Sequence, residues 1–565
     1  MTRREIWLTA GGLFAVALVV RAIFAATVPF PTPEDTAYYY GVARNVVEGR
    51  GLVSDAMWSY QTPPLVFPRP ALEVWLPLPV IMAALPMYLF GTGFHVAQIS
   101  TVIVGAFVPV LAWRIAADLA EELELPLDRA RTLAVGSGLT AAVSLPLLLH
   151  GVLPDSTTPF TALALAACLL MTRIARDPRG ARLRDPRLIA LGVLFGLAAL
   201  TRNEFAWLGI VWVAIAWGAS KRAGATLDAS RAAAAPNPSG TGSTWRPWLR
   251  LIGVPAVVGA VVLAPWLVRD AIVFGSPLPG QAVANALSVT GFDIFAYAHP
   301  PTLSRYLAQG AGFLVSTRVD GFLHNMLSVL LVPSFPVGVI GLLGLISQAA
   351  VRKSRALRPI LTLSVITFVA TTLLFPVSTT WGTFLHAAGP AHVLLIIGSL
   401  AVLDSLIARA GRWRGWTNPV AWLGPTLTVA TSLLFAFQLL GYATQARDIQ
   451  QRYAALRPAL AASGATEAEL AGPVVTDFPI WYAEGTRHPA LALPDETPTD
   501  VVALAQRFGA ALLILSDGDH GQWPAVLGTG AADAACFQPL AMVLPADPAA
   551  NQALAGTRAY RIRCP

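Results

Sequence analysis

LIALGVLFGLAALTRNEFAWLGIVWVAIAWG, residues 188–218, decides how the chain is threaded. The stretch is nearly all apolar and long enough to read as one helix. One span would place the arginines before it and the basic residues after it on opposite sides of a bilayer. Short cytoplasmic loops collect the excess of Lys and Arg, so both flanks belong on one side. The interruption LTRNEF, Leu200 to Phe205, resolves the conflict: two short helices meet there in a turn carrying Arg202 and Glu204. At about 1.5 Å per residue, each is shorter than the ~30 Å hydrocarbon core. The turn is therefore expected to be recessed, because irregular backbone at that depth is tolerated only against protein or water.

Composition agrees with a membrane setting. Of 565 residues, 55% are hydrophobic and 13% charged, against roughly 25% charged in soluble domains, and mean hydropathy is +0.60. The net charge of +7 comes from arginines that punctuate apolar segments, which argues for a membrane and against nucleic acid. Eleven apolar windows are long enough to count as spans: 6–28, 94–117, 131–149, 156–173, 188–201, 204–218, 251–271, 327–347, 358–376, 389–408 and 419–441. The first is too long for a signal-peptide core and reads as a retained span. With Arg3 and Arg4 in the cytoplasm, inner loops collect 23 basic residues and outer loops seven. That asymmetry puts the N-terminus inside and the C-terminus outside. The inner runs include Arg173, Arg176, Arg179, Arg182, Arg184 and Arg187. Residues 74–91 contain Pro77, Pro79 and Pro86 and read as a second interfacial or re-entrant helix. Residues 223–244, rich in Ala, Pro, Ser, Gly and Thr, read as a disordered inner loop.

The fold expected is thus an all-α polytopic membrane domain, residues 1–444, with interfacial helices in an outer loop at 29–93. A small extracytoplasmic α/β domain follows at 445–565, in a chain of the plasma membrane. In that domain VVTDF, ALALP, ALLILS and AYRIR read as strands, and PTDVVALAQRF as a helix capped by Thr497 or Thr499. Cys536 and Cys564 both fall on the oxidising side, which favours a disulfide. The three cysteines form no CxxC pair and no zinc spacing.

The outer loop carries the chemistry. TPEDTAYYYGVARNVVEGRGL, residues 32–52, reads as a helix with two adjacent acids, Glu34 and Asp35. Thr32 and Pro33 suit a helix start, with Glu34 and Asp35 in the first turn, and Gly49 and Gly51 suit its end. Glu34 is assigned chiefly to that start, and Asp35 to catalysis. The tyrosines at 38–40 read as interfacial anchors, with Tyr39 a candidate to reach substrate.

Four motifs together resemble the GT-C superfamily of membrane glycosyltransferases, in particular homologues of protein O-mannosyltransferase and of aminoarabinose transferase. They are Asp35 with Tyr38–Tyr40, Ala43-Arg44-Asn45 and Gly49-Arg50-Gly51; Trp75, Pro77 and Leu78 leading to Phe90-Gly91; Thr201, Arg202 and Glu204; and Pro265, Trp266, Arg269 and Asp270 followed by Phe274 to Pro277. They cover about the first half of the chain. Asp270 stands where the family often has Asn.

The resemblance implies inverting transfer from a polyprenyl-phosphate sugar to a lipid, glycan or protein hydroxyl at the outer face. No Gly-rich phosphate loop is present, which agrees with a donor that is not a nucleotide sugar. Asp35, with Glu34 beside it, is then the candidate catalytic acid group. Arg202, Arg269 and Arg21 are candidates for the donor phosphate. Tyr39, Glu73, Glu204 and His386 are candidates to contact substrate. Each has a plainer reading: snorkelling for the arginines, surface exposure for Glu73, and a structural role for His386 and His392. No metal-ligand spacing joins the histidines, so no cofactor is indicated, with a divalent metal left open. The rival classes are a transporter or flippase, against which no inverted repeat is seen, and a non-catalytic envelope-assembly subunit.

Overall fold

The structure is a computed structural model that describes residues 2–177, 185–234, 245–416, 420–516, 520–528 and 534–564. Arg179, Arg182 and Arg184 of the inner basic run lie outside the described residues.

Among the described residues, six helices are long and apolar enough to cross a membrane: Arg3–Ala25, Phe94–Glu122, Thr157–Arg176, Trp248–Phe274, Gly389–Arg414 and Leu423–Ala462. The pair Leu127–Val143 and Leu145–Val152, bent by 59°, makes a seventh if it is one broken span. Pro146 starts the second piece and cannot donate the hydrogen bond that would continue the first. The windows at 188–201, 204–218 and 358–376 hold shorter apolar helices. The window at 327–347 is divided: a π-helical stretch ends at Leu331 and a new helix, Val337–Ser347, starts after the turn holding Pro336. The segment 188–218 forms two helices, Pro186–Ala199 and Phe205–Ala234, joined at the LTRNEF turn. The second helix continues to Ala234, so the segment 223–234 is helical rather than disordered; residues 235–244 lie outside the described residues.

The bundle packs through small residues, which let helix backbones approach closely. A Cβ on Gly341 would lie 2.1 Å from the carbonyl oxygen of Leu395, and one on Gly344 would lie 2.5 Å from that of Gly398. These contacts seat Val337–Ser347 against Gly389–Arg414.

The loop helix runs Glu34–Val47. The start read from the sequence is corrected here: Pro33 is the N-cap, no side chain caps the helix, and Thr32 does not serve. Gly49 follows the end at φ +80°, a left-handed conformation that only a residue without Cβ holds cheaply. The second loop helix, Leu78–Phe90, carries Pro86 inside it and is too short to span.

The strands are β1 (Val53–Ser54), β2 (Ala56–Met57), β3 (Arg69–Pro70), β4 (Val474–Thr476), β5 (Ala490–Ala492), β6 (Leu512–Leu515), β7 (Phe537–Leu540) and β8 (Arg558–Ile562). The four strands read in the C-terminal segment are β4, β5, β6 and β8, and Thr497 caps Pro498–Phe508. The six-stranded sheet has the order β2-β5-β4-β6-β8-β7. Its outermost strand, β2, comes from the first loop and pairs parallel with β5, Ala56 opposite Ala490. The C-terminal unit is therefore completed by the loop between the first spans. One buried core joins them, with Tyr38, Tyr39, Met57 and Trp58 packed together with Tyr453, Val475 and Leu491. Cys536 and Cys564 are bonded.

Candidate active site

Four segments that are far apart in sequence meet at one end of the bundle. They are the start of the loop helix, the connection 150–157, the LTRNEF turn, and the 3-10 turn at Leu385–Ala387.

Asp35 stands in the first turn of its helix, with its side chain 29% exposed. Its Oδ2 lies 3.1 Å from Nε2 of His386. The other ring nitrogen of His386 lies 2.8 Å from Oγ1 of Thr157. The imidazole is thus held at both ends, and it fixes the carboxylate it faces. The backbone N–H of Thr157 donates to Oδ1 of Asp155 at 2.8 Å, and Oδ2 of Asp155 lies 3.0 Å from Nδ1 of His150. Burial opposes the charge of Asp155, but the charge and hydrogen bond of His150, the charge of His386 and the Thr157 amide hold its carboxyl below the ordinary range.

Arg202 is close enough for its charge to act on Asp35 and Tyr39. Its Nε and Nη2 donate to the two oxygens of Glu204 at 3.0 and 2.8 Å, and its Nη1 donates to Ser156 Oγ at 2.8 Å. Three of the five guanidinium N–H groups are used in this way. Tyr39, one helical turn from Asp35, is buried and hydrogen-bonds Ser156. Burial pushes its phenol above the ordinary value, with Asp35 acting the same way and Arg202 against it. The tyrosines are corrected in one respect: Tyr38, Tyr39 and Tyr40 are all buried in protein and are not lipid-facing anchors. Tyr38 packs on Trp75 with ring centroids 4.3 Å apart, and Trp75 packs on Trp58 at 4.5 Å.

The other candidates lie in different surroundings. Glu34 turns to the C-terminal unit, where it accepts the N–H of Ile480 at 3.1 Å. Glu73, read as surface-exposed, is buried and paired with buried Arg69 at 3.1 Å. Arg269 donates to Asp270 and to the carbonyl of Ala71, both at 2.8 Å, and stacks against Trp266 and Phe274. Arg21 is fully buried and donates to the carbonyls of Ala17, Ala142 and Leu147. Gly105 and Gly151 make room for its guanidinium; a Cβ on Gly151 would lie 2.6 Å from its Nε.

His150, Asp155 and Ser156 are not candidates from the sequence. The available signal is the polar run Asp155-Ser156-Thr157-Thr158 at the start of the apolar window 156–173. Among the described residues, His150, Asp155 and His386 are all buried and offer ligand atoms within 4.8 Å of one another. Imidazole and carboxylate donors suit a divalent transition metal. An ion there would replace the His150–Asp155 hydrogen bond and one of the two contacts of the His386 ring, to Thr157 or to Asp35.

No family model and no curated protein sequence matches the chain. Solved structures do. ArnT from Cupriavidus metallidurans bound to undecaprenyl phosphate superposes with a TM-score of 0.50 at 14% identity, covering 98% of each chain. Apo ArnT gives 0.50 at 13% identity over 100% of each chain. The chain shares the fold of these ArnT structures. A looser match is the oligosaccharyltransferase AglB from Archaeoglobus fulgidus, with a TM-score of 0.46, 12% identity, and coverage of 89% of this chain and 69% of that one. With six helices among the described residues long and apolar enough to cross a bilayer and this fold, the chain is a multi-pass membrane protein.

Proposed function

We propose that this GT-C protein is an inverting glycosyltransferase that moves a sugar from a polyprenyl phosphate to an acceptor hydroxyl at the outer face of the membrane. The observation that carries the reading is the partly exposed Asp35 carboxylate, held by His386 and facing Arg202 and Tyr39, on the fold of a protein solved with undecaprenyl phosphate. A hydroxyl is a weak nucleophile near neutral pH. A positioned carboxylate accepts its proton as the new glycosidic bond forms. The phosphate leaves with little need of an acid. In this reading Asp35 is the base and His386 keeps its carboxylate aimed. Arg202, with two N–H groups uncommitted, meets the phosphate through parallel hydrogen bonds. Arg269 is a second candidate cation for that phosphate, and a divalent ion at His150, Asp155 and His386 would add positive charge beside it. Arg21 has its donors turned to backbone carbonyls and is left out of the donor site.

The test is product analysis after supplying labelled polyprenyl-phosphate sugars to membranes that contain the protein. Labelled lipid-linked, glycan or protein product is expected. Donor that crosses the bilayer without bond cleavage would replace this reading by a flippase.

A further inference from the structure

We infer that the C-terminal unit sets the position of the catalytic carboxylate, gripping the helix that carries it through Glu34 and Arg44, which act as positioning residues. The inference rests on the reading of Asp35 as the base. The helix Glu34–Val47 shows two faces. Asp35 and Tyr39 face the cluster of His386, Ser156 and Arg202. Glu34, Gly41 and Arg44 face the helix Pro479–Thr486 of the C-terminal unit.

The grip is made at both ends of that second face. At one end Glu34 Oε1 accepts the N–H of Ile480 at 3.1 Å, in the first turn of Pro479–Thr486, where backbone N–H groups lack helical partners. At the other end Nη1 of buried Arg44 meets both carboxylate oxygens of Glu484 at 2.5 Å. A Cβ on Gly41, between them, would lie 3.4 Å from Oε2 of Glu484, so the two helices touch closely at mid-length. The chain beyond the loop helix is tied to the same unit by β2 against β5. Two residues before the loop helix, the Thr32 carbonyl accepts the Tyr442 hydroxyl from the helix Gln438–Ala462 that leads into that unit. The loop helix has no side-chain cap of its own; its first carboxylate serves a different helix.

The consequence is geometric. Glu34 and Arg44 are ten residues apart, about 15 Å of helix. Holds at both ends oppose sliding and rotation, the motions that would carry Asp35 off His386. Misplacement of a catalytic group by about 1 Å can cost roughly 100-fold in rate.

The experiment uses the full chain in lipid, with Glu34→Ala, Glu34→Gln and Glu484→Gln compared by turnover, by KM for donor, and by hydrogen exchange over residues 34–47 and 479–486. Loss of the grip in Glu34→Ala is expected to lower kcat by roughly 10- to 100-fold with KM for donor unmoved, and to speed exchange in both segments. Glu34→Gln keeps a carbonyl oxygen for the Ile480 N–H and restores most of the turnover. Glu484→Gln follows Glu34→Ala in direction. Unchanged kcat in Glu34→Ala and Glu484→Gln overturns the inference, as does faster exchange with no change in kcat, or a Gln variant no better than Ala. An Asp35→Asn control separates the two claims. If it transfers at the normal rate, the base reading fails, whatever the seam shows.

Discussion

Asp35 and Glu34 are neighbours with opposite surroundings, and their chemistry follows from which way each points. Asp35, itself partly exposed, meets the buried His386 imidazole, and in the proposed reaction it takes the acceptor's proton. Asp35→Asn is expected to lower transfer by about 10²–10⁴-fold, the usual cost of losing a general base, while the protein still folds and still binds labelled donor. Retention of near-normal product formation would remove Asp35 from the mechanism. Glu34 sits against the C-terminal unit, where burial pushes its carboxyl up to about 8, the Ile480 and Trp481 amides oppose this, and Asp477 and Asp35 add to it. Its ordinary value is 4.5, so the folded state holds this proton more tightly than the unfolded chain. The stability it contributes is complete below pH 4.5 and is lost as pH rises to about 8. Thermal unfolding of Glu34→Gln should therefore gain on the wild type steadily between pH 5 and pH 8 and hold a constant difference above that. A difference that does not vary with pH would show that the carboxyl titrates normally.

The LTRNEF turn is the element whose sequence and structure agree most directly. Its polar residues interrupt an apolar run, and the helices break there. Leu78 N donates to the Leu200 carbonyl at 2.8 Å and Arg202 reaches Ser156, so the turn lies beside the outer loop rather than across the bundle from it. Arg202→Lys keeps the charge and loses the planar fork; donor affinity should fall several-fold, measured by competition with labelled polyprenyl phosphate. Equal affinity would leave Arg202 as a partner of Glu204 alone. A second prediction at this scale concerns helix packing. Leu at position 341 would meet the backbone of Leu395, so Gly341→Leu should destabilise the bundle by about 1–3 kcal/mol, the usual cost of overpacking, read from the unfolding midpoint in detergent.

At the scale of the whole molecule, we propose from the charge asymmetry of the loops that residues 445–565 and the 200–204 turn lie on the outer side. Cysteines introduced at Asn203 and at Asp547 should be labelled by an impermeant reagent in intact cells, and one at Gln348 should not. Labelling at Gln348 alone would invert the topology. The outer loop and the C-terminal unit share a sheet and a core, so a chain cut after the last span leaves Met57, Trp58 and the tyrosines of the loop helix uncovered. Such a truncated protein is expected to lose ordered packing of the loop helix as well as the missing unit, a change seen as protease cleavage within 34–60.

The sequence by itself determined the membrane class, the apolar segments, the broken hairpin, the loop helix with its two acids, and four of the strands. These are local facts: hydropathy, charge, capping and alternation are written in consecutive residues. The same local signals named Asp35, Tyr39, Arg202, Glu204 and His386 separately. Tertiary structure decided that these five meet, that His150 and Asp155 join them, and that Arg21, Glu73 and Arg269 have other partners. It also decided that β2 crosses over to finish a sheet more than four hundred residues away. Such pairings depend on which helix ends converge after the bundle packs. No period or motif in one segment records the segment it will touch. The tyrosines show the same limit: a Tyr-rich helix beside a membrane reads as an anchor until the unit that buries it is in place.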